Sequence, residues 1–225
     1  MKQLKLSVIT PSIRPDGLKV TKECLENQTY QNFEWLPRLS VHRTGKSDLC
    51  YQYNQALYEA TGDIFVSLQD WIWIPNDALE KIAKIYENPL LWDRAYSFPV
   101  GKVDDLKGQE EPRWDWRDCF SQKEMAYSWN WEIDFAACPL SAIKDAGYFD
   151  LTYDAVGAIG SENCDLAYRM EKLNMKFFTS NTTHGIAWDH DKYEVNPKKG
   201  LHQQANFDHW NQKRTRIDLN SVPDL

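Results

Sequence analysis

Leu4 to Thr10 is a compact run of aliphatic and β-branched residues closed by Pro11-Ser12, which predicts a buried first strand. From Pro15 to Gln28 the apolar spacing lengthens. Leu18, Cys24 and Leu25 share one stripe and Pro15 suits a first turn, so a helix is expected. Phe33 to Val41 predicts a second strand, which Pro37 either breaks or places at a sheet edge. Asp48 is the expected N-cap of a helix running to Ala60 and closed by Gly62. Asp63 to Leu68 is the next strand, and Asn76 to Asn88, after Pro75, the next helix. Three strands alternating with three helices in this short span imply parallel pairing. The fold class expected is α/β, with a Rossmann-like, mostly parallel central sheet flanked by helices.

Beyond this half the pattern loosens. Leu91 to Met125 is richer in charge, Gly and Pro, with one short strand expected near Ala95 to Pro99. Trp131 to Cys138 predicts a strand, Ser141 to Gly147 a short helix, Ser161 to Leu173 a helix and Lys176 to Thr179 a last strand. From Asn196 the chain turns polar and basic, with Lys198, Lys199, Lys213, Arg214 and Arg216, and a solvated tail is expected.

Composition narrows the class. A chain of 225 residues with 42% hydrophobic and 26% charged positions suits one folded core and leaves little for a second domain. The formal charge of −7 argues against a general polyanion binder. Cys24, Cys50, Cys119, Cys138 and Cys164 are scattered and odd in number, which reads as reduced thiols in a cytoplasmic protein. The apolar start is too short for a signal peptide, and no stretch approaches the length of a membrane span. Ten tryptophans are the oddity of the composition.

Ligands of an open parallel sheet gather beyond the carboxyl ends of its strands, here Thr10-Pro11-Ser12-Ile13-Arg14 and Gln69-Asp70-Trp71. Around these exits four blocks stand in order. They are Leu6 to Ser12; Cys24-Leu25-Glu26-Asn27-Gln28-Thr29-Tyr30-Gln31-Asn32-Phe33-Glu34; Asn54 with Ala60 to Asp70 and Pro75 to Glu80; and Gly147-Tyr148-Phe149-Asp150 with Ser161 to Met170. This order resembles family 2 glycosyltransferases of the GT-A fold across residues 4 to 190. In its small size the chain is also similar to glycosyltransferases of phages and viral metagenomes. The resemblance implies a domain over 1–195, with a nucleotide-sugar-binding half (1–100) and an acceptor-side half (101–195), followed by the basic tail 196–225.

It further implies transfer of a sugar from a nucleotide diphosphosugar, a UDP-sugar ahead of a GDP-sugar, onto a hydroxyl, with inversion and a divalent Mn2+ or Mg2+. Donor contacts would come from Thr10, Pro11, Ser12, Arg14, Asn54, Gln69, Asp70 and Trp71. The family's DxD-like acidic motif is here Gln69-Asp70-Trp71, so Asp70 is the expected metal contact. His190, between Asp189 and Asp191, is the expected second ligand, with His184 as substitute. The acceptor-side Glu-Asp pair is here Glu162-Asn163. Glu162 then becomes the expected base, with Asp165 its neighbour on the helical face; the alternative is a mechanism that needs no such base, in which Asn163 would orient the acceptor. An N-terminal helix carboxylate is the bland reading of both acids.

Trp114, Trp116, Trp129 and Trp131 are candidate acceptor platforms, because aromatic faces stack on sugars and on unstacked bases; core packing is expected to take two of the four. The acceptor is open between a glycan, a small molecule and a hydroxymethylated pyrimidine in DNA presented by flipping. Oligomeric state is not legible. A degenerate GT-A-like module that binds sugar or nucleotide sugar without turnover is the rival reading. A sugar nucleotidyltransferase is disfavoured, because no Gly-rich phosphate loop follows the first strand.

Overall fold

A strand whose every side chain is buried needs cover on both faces, and three strands among the described residues meet that condition. In the computed structural model, which describes residues 3–40, 48–103, 112–119, 121–155, 160–188 and 199–220, they are β1 (Leu6–Ser12), β3 (Ile64–Leu68) and β9 (Phe135–Pro139). Between them run α1 (Pro15–Glu26), β2 (Phe33–Leu39), α2 (Leu49–Glu59), β4 (Ile72–Trp73), α3 (Ala78–Tyr86), β5 (Arg94–Ser97), β6 (Val100–Val103), β7 (Arg113–Trp114) and β8 (Lys123–Glu124). After β9 come α4 (Leu140–Asp145), α5 (Thr152–Ala155), α6 (Glu162–Lys172), β10 (Lys176–Thr179), β11 (Gly185–Trp188) and α7 (Lys199–Asn220).

The main sheet has the order β2-β1-β3-β9-β5-β10-β8. Pairing is parallel from β2 through β1 to β3 and between β5 and β10, whereas β9 runs against both β3 and β5, and β8 against β10. Five of the seven strands therefore point one way, and the expected α/β class with a mostly parallel sheet holds. A smaller sheet, β4-β11-β6-β7, stands beside it. Alternate residues of β3 divide between two cores. Ile64, Val66 and Leu68 pack with α1 and α3, while Phe65 faces α2, α4 and α6.

Of the two outcomes expected for Pro37 the edge placement holds: β2 continues to Leu39 as an edge strand, where a missing N–H disturbs no ladder. Other expectations are corrected. The strand expected from Trp131 begins only at Phe135, because residues before it serve the sheet rim instead. Asp48 occupies the N-cap of α2, but its carboxylate accepts from Ser40 and Gln52; the second and third amides of the helix, Cys50 and Tyr51, donate to Asp154 at 3.1 and 2.8 Å. The segment expected to be a solvated basic tail holds α7, with Asn206 and Trp210 buried. Its inward groups are mostly polar, so no apolar stripe marks it in sequence. Among the described residues no helix is long and apolar enough to cross a membrane.

At the amino ends of the strands Glu34 ties three of them together. Its carboxylate accepts from Lys5 Nζ, Ser7 Oγ and the Thr61 amide, each at 2.7 Å, and from the Gly62 amide at 3.1 Å. Only glycine fits at 62, since a Cβ there would lie 2.5 Å from Ser7 Oγ. Burial alone would raise the Glu34 pKa; the bonds from Lys5, Ser7 and Thr61 outweigh it and hold the carboxyl at about 2. A depressed pKa contributes stability that is present above the unfolded value and lost as pH falls toward about 2. Glu34→Gln is expected to destabilise the fold by about 1–3 kcal/mol in urea unfolding at pH 7, with the difference from wild type narrowing as pH is lowered.

Candidate active site

Two carboxylates stand at the carboxyl end of β3 and the amino end of β9, and each is met by a guanidinium. Asp70, only 2% exposed, accepts from Arg14 Nε at 3.0 Å and from Arg14 Nη2, and Ser12 Oγ donates to it at 2.5 Å. The first turn of α1 closes the same carboxylate from below: a Cβ on Gly17 would lie 2.8 Å from Asp70 Oδ2. The end of β1, the start of α1 and the turn after β3 are thus fastened through one acid. Arg14 keeps part of its surface at the rim.

The second cluster was not foreseen in the sequence. Arg117, almost fully buried, donates to Asp134 through Nη1 at 2.7 Å and Nη2 at 2.9 Å, and to Asp115 through Nε at 3.0 Å. Burial works against its charge, but Asp134 and Asp115 overcome this and push its pKa up. Glu132, two residues before Asp134, also has a raised pKa, from burial first and then from the nearby Asp134. An alternation Glu132-Ile133-Asp134 looks like any strand edge; nothing in its spacing announces that an antiparallel strand delivers it to this rim.

The segment Trp131–Asp134 joins the two halves of the site. Gln69 N donates to Asp134 O at 3.0 Å at one end, and Asn163 Nδ2 donates to Trp131 O at 2.7 Å at the other. Three Cα steps span at most about 11 Å, so only a short piece of backbone separates the end of β3 from the start of α6.

Glu162 is the first residue of α6 and is 6% exposed. Its Oε2 accepts from the Gly160 amide at 2.7 Å. Burial raises its pKa; the Gly160 and Glu162 amides oppose that, and the charges of Asp154 and Glu132 add to it. A proton acceptor with raised affinity is what base catalysis uses.

The remaining expected site residues divide. Asp165, 1% exposed, is bound by Arg169 Nε at 3.0 Å and lies 2.7 Å from Lys213 Nζ, so it fastens α6 to α7. Asn54 donates to Phe149 O at 2.8 Å and accepts from Phe149 N at 3.0 Å, which spends its amide on the backbone of the Gly147–Asp150 turn. Thr10 and Pro11 are buried in β1, where Thr10 Oγ1 accepts from Trp35 Nε1 at 3.0 Å. Trp71 Nε1 donates to Gln69 Oε1 at 2.7 Å. Trp131 lies in the core, and Trp129 stacks on Tyr127 with ring centroids 4.5 Å apart, whereas Trp114 and Trp116 are exposed.

Among the described residues no three His, Cys, Asp or Glu side chains converge on one point. Both Asp70 oxygens already accept from Arg14, and His190 lies outside the described residues. His184 stands edge-on to Trp114, 5.1 Å between centroids, with its pKa lowered by burial and then by Lys81. The described residues therefore do not of themselves fit a divalent cation at Asp70; a metal there would have to displace the Arg14 guanidinium.

No family model matches the sequence, and no curated protein matches it. Solved structures do. GalNAc-T7 with UDP, GalNAc and Mn2+ is similar with a TM-score of 0.59 and 11% identity, over 84% of this chain and 44% of that one. TarS residues 1–349 of S. aureus with UDP-GlcNAc gives 0.59 and 15% over 83% of this chain and 59% of that one. The same protein with UDP gives 0.59 and 16% over 85% and 63%. Both are GT-A glycosyltransferases, and the fold here is GT-A-like; the chain spans about half the length of these neighbours.

A carboxyl whose pKa is raised by folding costs stability once pH passes its unfolded value, because the native state holds its proton longer. Glu162→Gln is expected to be more stable than wild type at pH 7 in thermal unfolding, the gain vanishing as pH falls through the ordinary glutamate range.

Proposed function

We propose that this chain is a glycosyltransferase that moves a sugar from a nucleotide diphosphosugar, a UDP-sugar in preference to a GDP-sugar, onto a hydroxyl acceptor with inversion. The observation that carries the reading is the buried Glu162 carboxyl at the start of α6, next to Asn163, whose side chain is tied to the Trp131–Asp134 segment that also meets Gln69 at the end of β3. The GT-A-like fold supports it, and residues 1–100 serve as the donor half and 101–195 as the acceptor half.

Ser12, Arg14, Gln69 and Trp71 receive the donor. Arg14 offers a planar, permanently charged group suited to phosphate oxygens, and Asp70 holds that group in place. Glu162 takes the proton from the acceptor hydroxyl as its oxygen bonds to the anomeric carbon, while the bond from that carbon to the diphosphate breaks. Asn163, tied to Trp131 O, aligns the acceptor side. Trp114 and Trp116 offer exposed faces to a sugar or a base. Among acceptors, a glycan or small molecule fits the formal charge of −7 better than hydroxymethylated DNA does.

One observation favours the rival, a binding module without turnover: the Asp70 carboxylate is already neutralised by Arg14. A panel of UDP- and GDP-sugars with glycan and hydroxymethyl-DNA acceptors, run in Mn2+ and in EDTA, separates the readings. Released nucleotide and a new glycosidic bond are expected, and stimulation by Mn2+ would support Asp70 and His190 as a cation site. Glu162→Gln should lower kcat by about 100-fold or more with the fold retained, and Asp70→Asn should weaken donor use by about tenfold. In wild type the acid limb of kcat/KM should lie above the ordinary glutamate range. Nucleotide bound but never released would favour the binding module.

A further inference from the structure

The helix α7 turns one mixed face, polar but for a tryptophan, toward α5 and α6. Asn206, Trp210, Lys213 and Arg214 recur at helical spacing on one side of α7. Trp210 packs on Trp129 with centroids 5.5 Å apart, and the Arg214 guanidinium lies 5.2 Å from the Trp129 ring and 4.9 Å from the Trp210 ring. Lys213 Nζ sits 2.7 Å from both Asp150 Oδ2 and Asp165 Oδ1. His209 Nε2 meets Thr152 Oγ1 at 3.0 Å. These contacts fix the helix against α5 and α6.

Asn206 is fully buried on this face, and its Nδ2 donates to Gly160 O at 3.0 Å. The amide of the same Gly160 donates to Glu162 Oε2 at 2.7 Å. Gly160 has φ of +120° and Ser161 φ of +67°, a backbone path that persists only where its surroundings hold it. One residue thus links the helix to the carboxylate through two hydrogen bonds in series.

We infer that Asn206 is a positioning residue for Glu162: by holding the Gly160 carbonyl it keeps the Gly160 amide on the Glu162 carboxylate, and so makes α7 part of the acceptor side. The inference rests on the reading of Glu162 as the base. A residue that only helped the helix to pack would affect stability and leave proton affinity at Glu162 alone. A residue that holds the Gly160 amide must affect both the rate and its pH dependence, because that amide stabilises the charged form.

The test is steady-state kinetics of Asn206→Ala across pH, with folding followed by thermal unfolding. We expect kcat to fall at least tenfold, the donor KM to stay within twofold, and the acid limb of kcat to move to higher pH. A kcat within twofold of wild type, or a lower kcat with the limb unmoved, overturns the inference. Should Asn206→Ala fail to fold, Asn206→Leu keeps the volume without the donor and is read in the same way; failure of both to fold also overturns it, since the contact then serves the fold. Full activity in Glu162→Gln would defeat the base reading and this inference together. Loss in Glu162→Gln beside normal behaviour in Asn206→Ala defeats the inference alone.

Discussion

One reversed strand organises the site. β9 lies between β3 and β5 and runs against both, so its beginning stands where its neighbours end. A parallel strand in that place would carry Trp131–Asp134 to the far edge of the sheet. The hydrogen bonds of the reversed pairing instead bring Asp134 against Gln69 and Glu132 against Ser97, and give α6 a backbone carbonyl, that of Trp131, on which to anchor Asn163. The two sides of the proposed site meet because the sheet demands it.

Charge is managed at this rim by pairing within the protein. Asp70 with Arg14 and Asp134 with Arg117 are bidentate arrangements, the geometry in which desolvated ions recover most of what burial removes. Among the described residues Glu162 meets no such cation and is left with amide donors, and burial raises its proton affinity, as it does that of Glu132. Neighbouring acids are therefore held differently: Asp70 and Asp134 by a guanidinium, Glu162 by amides.

The first half of the fold was legible because its strands are continuous apolar runs separated by amphipathic helices, from Leu6 through Tyr86. The strand exits were legible for the same reason, and Ser12, Arg14 and Asp70 do come together. What could not be read is what depends on contacts distant in sequence. Asp154 capping α2, Asn54 spent on Phe149, Asp165 held by Lys213, and Arg117 held by Asp134 each require a partner that no local spacing reveals. α7 escaped notice because a helix held by an amide, a lysine and one tryptophan lacks the apolar stripe that periodicity detects.

The outermost strand of the main sheet carries Pro37 in a ladder that continues past it. Since the pairing with β1 is intact, the ring occupies the side turned away from that partner. Another chain approaching this flank would find a bulky ring where it needs a donor, and so could not extend the sheet in register. The same residue that looked like a defect in the second strand thus guards against fibre-like growth from one side of the molecule.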